Sequence, residues 1–168
     1  MTTLLIKNCR VIDPYSKRDE IADVYVADGV IQSVGKSDAA LADTVIDASG
    51  LVVAPGLVDI HGHFREPGRE DIETLETGSR AALAGGVTSV VTMPNTAPIA
   101  DNQTVIEFIL KRSKELDLID IFPAGSITKN EDGGLLAEIR ELKNSGAVAV
   151  SDDGVDVDNA GVLLNAME

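Results

Sequence analysis

Two histidines, the only ones in the chain, stand two residues apart in Gly56-Leu57-Val58-Asp59-Ile60-His61-Gly62-His63-Phe64-Arg65. The stretch reads as a strand, and alternate residues of a strand share a face. Asp59, His61, His63 and Arg65 therefore project the same way wherever the extended conformation persists. Imidazoles at this spacing, roughly 6 to 7 Å apart at the backbone, can converge on one metal ion. Gly62 leaves the opposite face bare and lets the backbone bend. Strand histidines can also serve local hydrogen bonds alone. Their position at the C-terminal end of a parallel strand, where such folds carry their catalytic groups, favours the metal.

The elements that must position this pair fall on two sides of Pro55-Gly56. Before it the segments are short and β-like: Leu4 to Ile12, Ala22 to Ala27, Val30 to Val34 and Thr44 to Ile46. Asp28-Gly29 is a hairpin signal, because both central residues of a tight hairpin turn need positive φ. Strands this short cannot close a stable core alone. Residues 1–54 need a partner from elsewhere in the chain.

From residue 55 to 168 strands and helices alternate. Leu51 to Ile60 reads as a buried strand interrupted by Pro55-Gly56. Asp71 is a good N-cap for a helix presenting Ile72, Leu75, Ser79, Ala82 and Leu83 on one face and closed by Gly85-Gly86. Val87 to Met93 is β-branched and apolar, hence a fully buried strand. Asp101-Asn102 caps a helix bearing Val105, Ile106, Ile109 and Leu110. Leu118 to Ala124 is the next strand. Leu135, Ile139 and Leu142 mark a helix ending at Asn144-Ser145-Gly146. Ala147 to Val150 is the fourth strand, and a last helix begins around Asp158. A strand–helix unit recurring roughly every 30 to 35 residues implies parallel strands joined by right-handed crossovers. That is an α/β fold: an open sheet, or the first half of a (β/α)8 barrel, whose full length is about 250 residues.

Composition excludes several roles. A formal net charge of −14 with no offsetting basic run argues against nucleic acid and membrane surfaces as partners. The single cysteine, Cys9, allows no internal disulfide and reads as a buried, inert thiol. The N-terminus lacks the pattern of a signal peptide, and no apolar run approaches the roughly 20 residues that span a bilayer. A cytoplasmic location is expected.

Pro55-Gly56-Leu57-Val58-Asp59-Ile60-His61-Gly62-His63-Phe64-Arg65-Glu66-Pro67-Gly68 resembles the first-strand signature of the amidohydrolase superfamily, and the Arg and Pro after the histidines resemble the dihydroorotases in particular. The likeness continues at Gly85-Gly86-Val87-Thr88, at Met93-Pro94-Asn95-Thr96 and at Val150-Ser151-Asp152-Asp153-Gly154, and it covers the whole chain. It resolves the fold expectation in favour of the barrel, and it implies that residues 1–54 are the N-terminal part of a small β-sandwich domain.

The resemblance implies roles for single residues. His61 and His63 would be metal ligands, with one or two zinc ions. Arg65 and Asn95 would hold the carboxylate and polar atoms of the substrate, because a guanidinium donates two parallel hydrogen bonds. Asp153 matches the acidic metal ligand and catalytic residue after the fourth barrel strand of the long bacterial enzymes, with Asp152 as its rival. No lysine stands in residues 147–154, so a carbamylated lysine is not available there. Blander readings stand beside these: Arg65 as an ion-pair partner of Glu66 or Glu70, Asn95 as a turn residue, and Asp152-Asp153-Gly154 as a plain turn. Glu73 and Glu76 read as a solvated helix face.

The implied activity is reversible, metal-dependent hydrolysis of the cyclic amide of L-dihydroorotate to N-carbamoyl-L-aspartate in pyrimidine biosynthesis. Homo-oligomers, an association with aspartate transcarbamoylase and a missing C-terminal half would be its partners. Family members take further histidines and a proton-carrying aspartate from later strands, so this N-terminal portion alone is expected to be inactive. Other readings are a hydantoinase or allantoinase, and a non-catalytic dihydroorotase-like partner of aspartate transcarbamoylase. Met-Pro-Asn-Thr and Ser-Asp-Asp-Gly argue against the first, and two retained histidines against the second.

Overall fold

A computed structural model describes residues 2–36 and 42–168; Met1 and residues 37–41 lie outside the described residues. The chain forms two compact units, Met1–Pro55 and Gly56–Glu168.

In the first unit, β1 (Thr3–Asp13), β2 (Arg18–Ala27), β3 (Val30–Gly35), β4 (Thr44–Asp47) and β5 (Val52–Val53) make one five-stranded sheet. β1, β2 and β3 are an antiparallel meander, while β4 and β5 run parallel to β1. The expected hairpin turn joins β2 to β3, with Asp28 at φ 49° and Gly29 at φ 77°. β2 begins at Arg18, earlier than its apolar residues suggest, because Arg18 to Ile21 still complete the ladder with β1 and Asp19 pairs with Arg10. Cys9, Val11, Ala22, Val24 and Ala48 form the apolar cluster. The Cys9 thiol is fully buried and donates to the Ala22 carbonyl at 3.2 Å.

The second unit is α/β. Its order is β6 (Leu57–Gly62), α1 (Leu75–Ala84), β7 (Val87–Thr92), α2 (Gln103–Leu116), β8 (Asp120–Gly125), α3 (Ile139–Asn144), β9 (Ala149–Val150) and α4 (Ala160–Met167). The four strands lie in the order β6-β7-β8-β9, all parallel. Successive βα units in a parallel, curled sheet are part of a (β/α)8 barrel. Phe64, Leu75, Val90, Val105, Ile106, Ile109, Ile121 and Leu142 pack into one core.

Several expectations need correction. α1 is capped by Thr74, whose side chain accepts from Thr77 N while Thr77 returns the bond. Asp71 is instead paired with Arg69 at 3.0 Å, and Ile72 is exposed. β5 and β6 belong to different sheets, and β6 is exposed rather than buried, with Val58 63% and Ile60 74% accessible. Among the described residues it stands at the sheet edge and pairs with β7 alone.

β7 is buried on one side only, at Val90 and Thr92, because it alternates across a sheet. Leu135 lies outside α3 and is exposed; its carbonyl accepts from Lys129 N at 2.7 Å in a loop that precedes the helix. β9 is shorter than expected, since Ala147 N still closes the end of α3 on the Leu142 carbonyl. α4 starts at Ala160 under an Asn159 cap. No helix among the described residues is long and apolar enough to cross a membrane.

Candidate metal centre

The site grows from the ends of the parallel strands. β6 ends at Gly62, between the two histidines, and Met93 N at the end of β7 donates to the Gly62 carbonyl at 2.8 Å. A Cβ on Gly62 would come within 2.6 Å of the Val90 side chain, so β6 can lie against β7 here only without one. Past Gly62 the chain leaves the strand: Arg65 has φ 51°, and the shared strand face does not extend to it. Asp59 accepts instead from the backbone two residues on, His61 N, at 3.0 Å. Phe64, between His63 and Arg65, is buried in the core and anchors the loop.

His61, His63 and Asp153 converge, their ligand atoms all within 4.8 Å of one another. His61 Nε2 lies 3.1 Å from Asp153 Oδ1, and His63 Nε2 lies 3.4 Å from Asp153 Oδ2. The imidazoles meet edge to face, with ring centroids 5.1 Å apart. Two ring nitrogens and a carboxylate oxygen are donors that suit a divalent cation such as zinc. The carboxylate is the most buried of the three side chains, and His61 the most open. The donor set therefore fits a metal held at the surface of a strand-end loop cluster.

The two neighbouring aspartates separate cleanly. Asp152 is buried and faces away from the histidines. It accepts from Ile127 N at 2.7 Å, from Thr128 N at 3.0 Å and from the Thr128 hydroxyl. Asp153 joins the histidines. Asn95 bridges this cluster: its Oδ1 lies 2.9 Å from His63 Nδ1, and its Nδ2 donates to Asp153 Oδ2 at 2.7 Å. Arg65 Nη1 donates to the Asn95 carbonyl at 3.2 Å, which holds the guanidinium beside the cluster.

Two carboxylates near the site were not legible in the sequence. Glu131 is pushed up to about 7, first by burial and then by the charges of Asp152 and Asp153, with Arg65 acting in the opposite sense. Among the described residues its Oε1, which is buried, has no hydrogen-bond partner. Glu66 accepts from Leu75 N, at the start of α1, at 2.7 Å and faces Arg112 of α2 at 3.6 Å. That pair ties the Arg65 loop to two helices. Neither residue carries a local pattern; each is placed by chain distant in sequence. Glu76, read as solvated, pairs on the surface with Arg80 at 2.9 Å. Glu73 belongs instead to the start of α1, where it accepts from Thr74 N at 3.3 Å.

Known proteins resemble this arrangement. A family model described as dihydro-orotase-like matches residues 50–168. The chain is 48% identical over 165 residues to a dihydroorotase of Solibacter usitatus, covering 98% of this chain and 38% of that protein. It is 50% identical over 166 residues to a dihydroorotase of Citrifermentans bemidjiense, covering 98% of this chain and 39% of that protein. Among solved structures, an L-hydantoinase (dihydropyrimidinase) from Arthrobacter aurescens superposes with a TM-score of 0.76 at 27% identity, covering 99% of this chain and 38% of that one. The chain thus spans about 38% of the length of the curated relatives it matches.

Proposed function

This chain belongs to the dihydro-orotase-like family, and from that premise we propose that the protein it represents is a zinc-dependent dihydroorotase. The reaction is reversible hydrolysis of the ring amide of L-dihydroorotate to N-carbamoyl-L-aspartate. The observation that carries this reading is the convergence of His61, His63 and Asp153 within 4.8 Å at the ends of parallel strands. Three protein ligands with a position left open for water or substrate are the usual design of a catalytic zinc.

In this reading His61, His63 and Asp153 hold the cation. Bound there, zinc supplies Lewis acidity, which polarises an amide carbonyl and lowers the pKa of water toward 7. Arg65 binds the substrate carboxylate with its guanidinium fork, and Asn95 supports it from the adjacent loop. Holding that carboxylate fixes where the ring amide lies relative to the ligand cluster, which is how positioning lowers a barrier. Arg65 Nη1 donates to the peptide carbonyl of Asn95 at 3.2 Å, which ties the carboxylate subsite of this reading to the residue that touches His63 and Asp153.

The likeness to an L-hydantoinase favours a second reading, cyclic amides without a carboxylate. Arg65 weighs against it. A guanidinium beside the ligands gains most from a carboxylate-bearing ring, and hydantoin and dihydrouracil have none. Assay of the intact protein on L-dihydroorotate, hydantoin and dihydrouracil decides. Preference for dihydroorotate is expected; a preference for either neutral ring would contradict the proposal. Cytoplasmic location, self-association and aspartate transcarbamoylase as a partner belong to the same proposal and rest on the family alone.

A further inference from the structure

Asn95 touches three groups that the proposed chemistry uses: His63, Asp153 and, through its carbonyl, Arg65. The orientation of its amide follows from its neighbours. A carboxylate only accepts, so the amide nitrogen must be the atom facing Asp153 Oδ2 at 2.7 Å. The amide oxygen then faces His63 Nδ1 at 2.9 Å, and because that oxygen also only accepts, Nδ1 carries a proton. Nε2, turned toward Asp153 Oδ2 at 3.4 Å, is the ring nitrogen that would face a cation shared with the carboxylate.

The segment behind Asn95 holds it firmly. Met93 N donates to the Gly62 carbonyl at 2.8 Å, and Ala100 N returns to the Pro94 carbonyl at 3.0 Å. The Thr96 hydroxyl donates to the Pro98 carbonyl at 2.7 Å. These bonds fix the backbone on both sides of Asn95, from which its amide reaches His63 and Asp153.

We infer that Asn95 is a positioning residue of the metal centre, which selects the Nδ1–H tautomer of His63 and fixes the Asp153 carboxylate so that both donors face one cation before it binds. This rests on the metal reading proposed above, and it gives Asn95 a task separate from holding substrate. Metal-bound histidines commonly have their second nitrogen fixed in this way by an acceptor, and losing such a partner lowers metal affinity by roughly 10- to 100-fold. The bond from Nδ2 to Asp153 adds a link between two ligands that arrive from distant parts of the chain.

The test uses the intact protein with 15N-labelled histidine, in wild-type and Asn95→Ala forms. Zinc affinity is measured by competition with a chelating dye, and the His63 tautomer by NMR of the metal-free protein. The expected result is Nδ1–H in the wild type, a tautomer mixture in the variant, and zinc binding weakened about 10- to 100-fold. Unchanged zinc affinity and tautomer with a raised KM would overturn the inference and leave Asn95 as a substrate group alone. An Nε2–H tautomer in the metal-free wild type would overturn it whether or not the variant folds. If wild-type protein bound no zinc, the metal reading itself would fall, while the tautomer would still decide what Asn95 does to His63.

Discussion

The ring of Phe64 lies against Gly78 of α1, where an added Cβ would come within 2.6 Å of it. Phe64 separates His63 from Arg65, so a helix surface without a side chain sets the depth of the loop that carries both. Gly78→Ala gains roughly 0.5–1 kcal/mol of helix propensity, but overpacking a filled core costs about 1–3 kcal/mol. The clash should win. We predict a lower melting temperature and weaker metal binding together. A stabilised variant with unchanged metal affinity would show that Phe64 has room to move and does not set the loop.

Asp152 and Asp153, adjacent in sequence, should fail in opposite ways. Asp152→Ala strands the half-buried amide of Ile127 and the buried amide of Thr128, and an unsatisfied buried donor costs about 1–3 kcal/mol. Thermal denaturation should show that loss. Asp153→Ala should remove metal, and in metal-free protein it should leave stability nearly unchanged. Equal loss of stability in both variants would mean that they share one structural role.

Arg65→Lys keeps the charge and loses the fork. On the proposed reading, kcat/KM for dihydroorotate should fall more than tenfold, equivalent to about 1.4 kcal/mol or more. Steady-state kinetics on the intact protein check this. Wild-type values would place the carboxylate subsite elsewhere.

Glu131 gives a pH dependence whose sign is fixed. Its pKa rises on folding from 4.5 to about 7, so between those values the folded chain holds a proton that the unfolded chain releases. Its contribution to stability is full below the lower value and is lost as pH rises through the upper one. In metal-free protein, Glu131→Gln should therefore melt higher than wild type at pH 8, with the difference shrinking at pH 5. Parallel melting curves across that range would contradict a half-buried carboxyl with a partnerless Oε1 at this position.

The alternation of histidines around Gly62 was enough to anticipate that their rings would meet, because strand geometry acts over neighbouring residues. It could not reach Arg65, whose positive φ takes the chain out of the strand. The apolar run at Leu57 to Ile60 correctly signalled a strand, but hydrophobicity reports that a face can be covered and not what covers it. β6 stands at the edge and is exposed. Asn102 caps α2 as its sequence suggests, whereas the start of α1 differs for a local reason. Asp71 and Thr74 are both good caps, and only the reciprocal bonds of Thr74 and Thr77 decide between them. Choosing between Asp152 and Asp153 by geometry needs the loop at residues 127–128, which turns one of them inward. Glu66, Glu131 and the bridging amide of Asn95 depend wholly on contacts between segments far apart in the chain.

The central claim is that His61, His63 and Asp153 together hold the metal of a cyclic amidohydrolase. Elemental analysis of the intact protein, wild type beside His61→Ala, tests it most directly. The account predicts stoichiometric zinc in the wild type and its loss from the variant, with the fold kept, since His61 is largely exposed. Zinc retained at the wild-type level in a folded His61→Ala protein would contradict it.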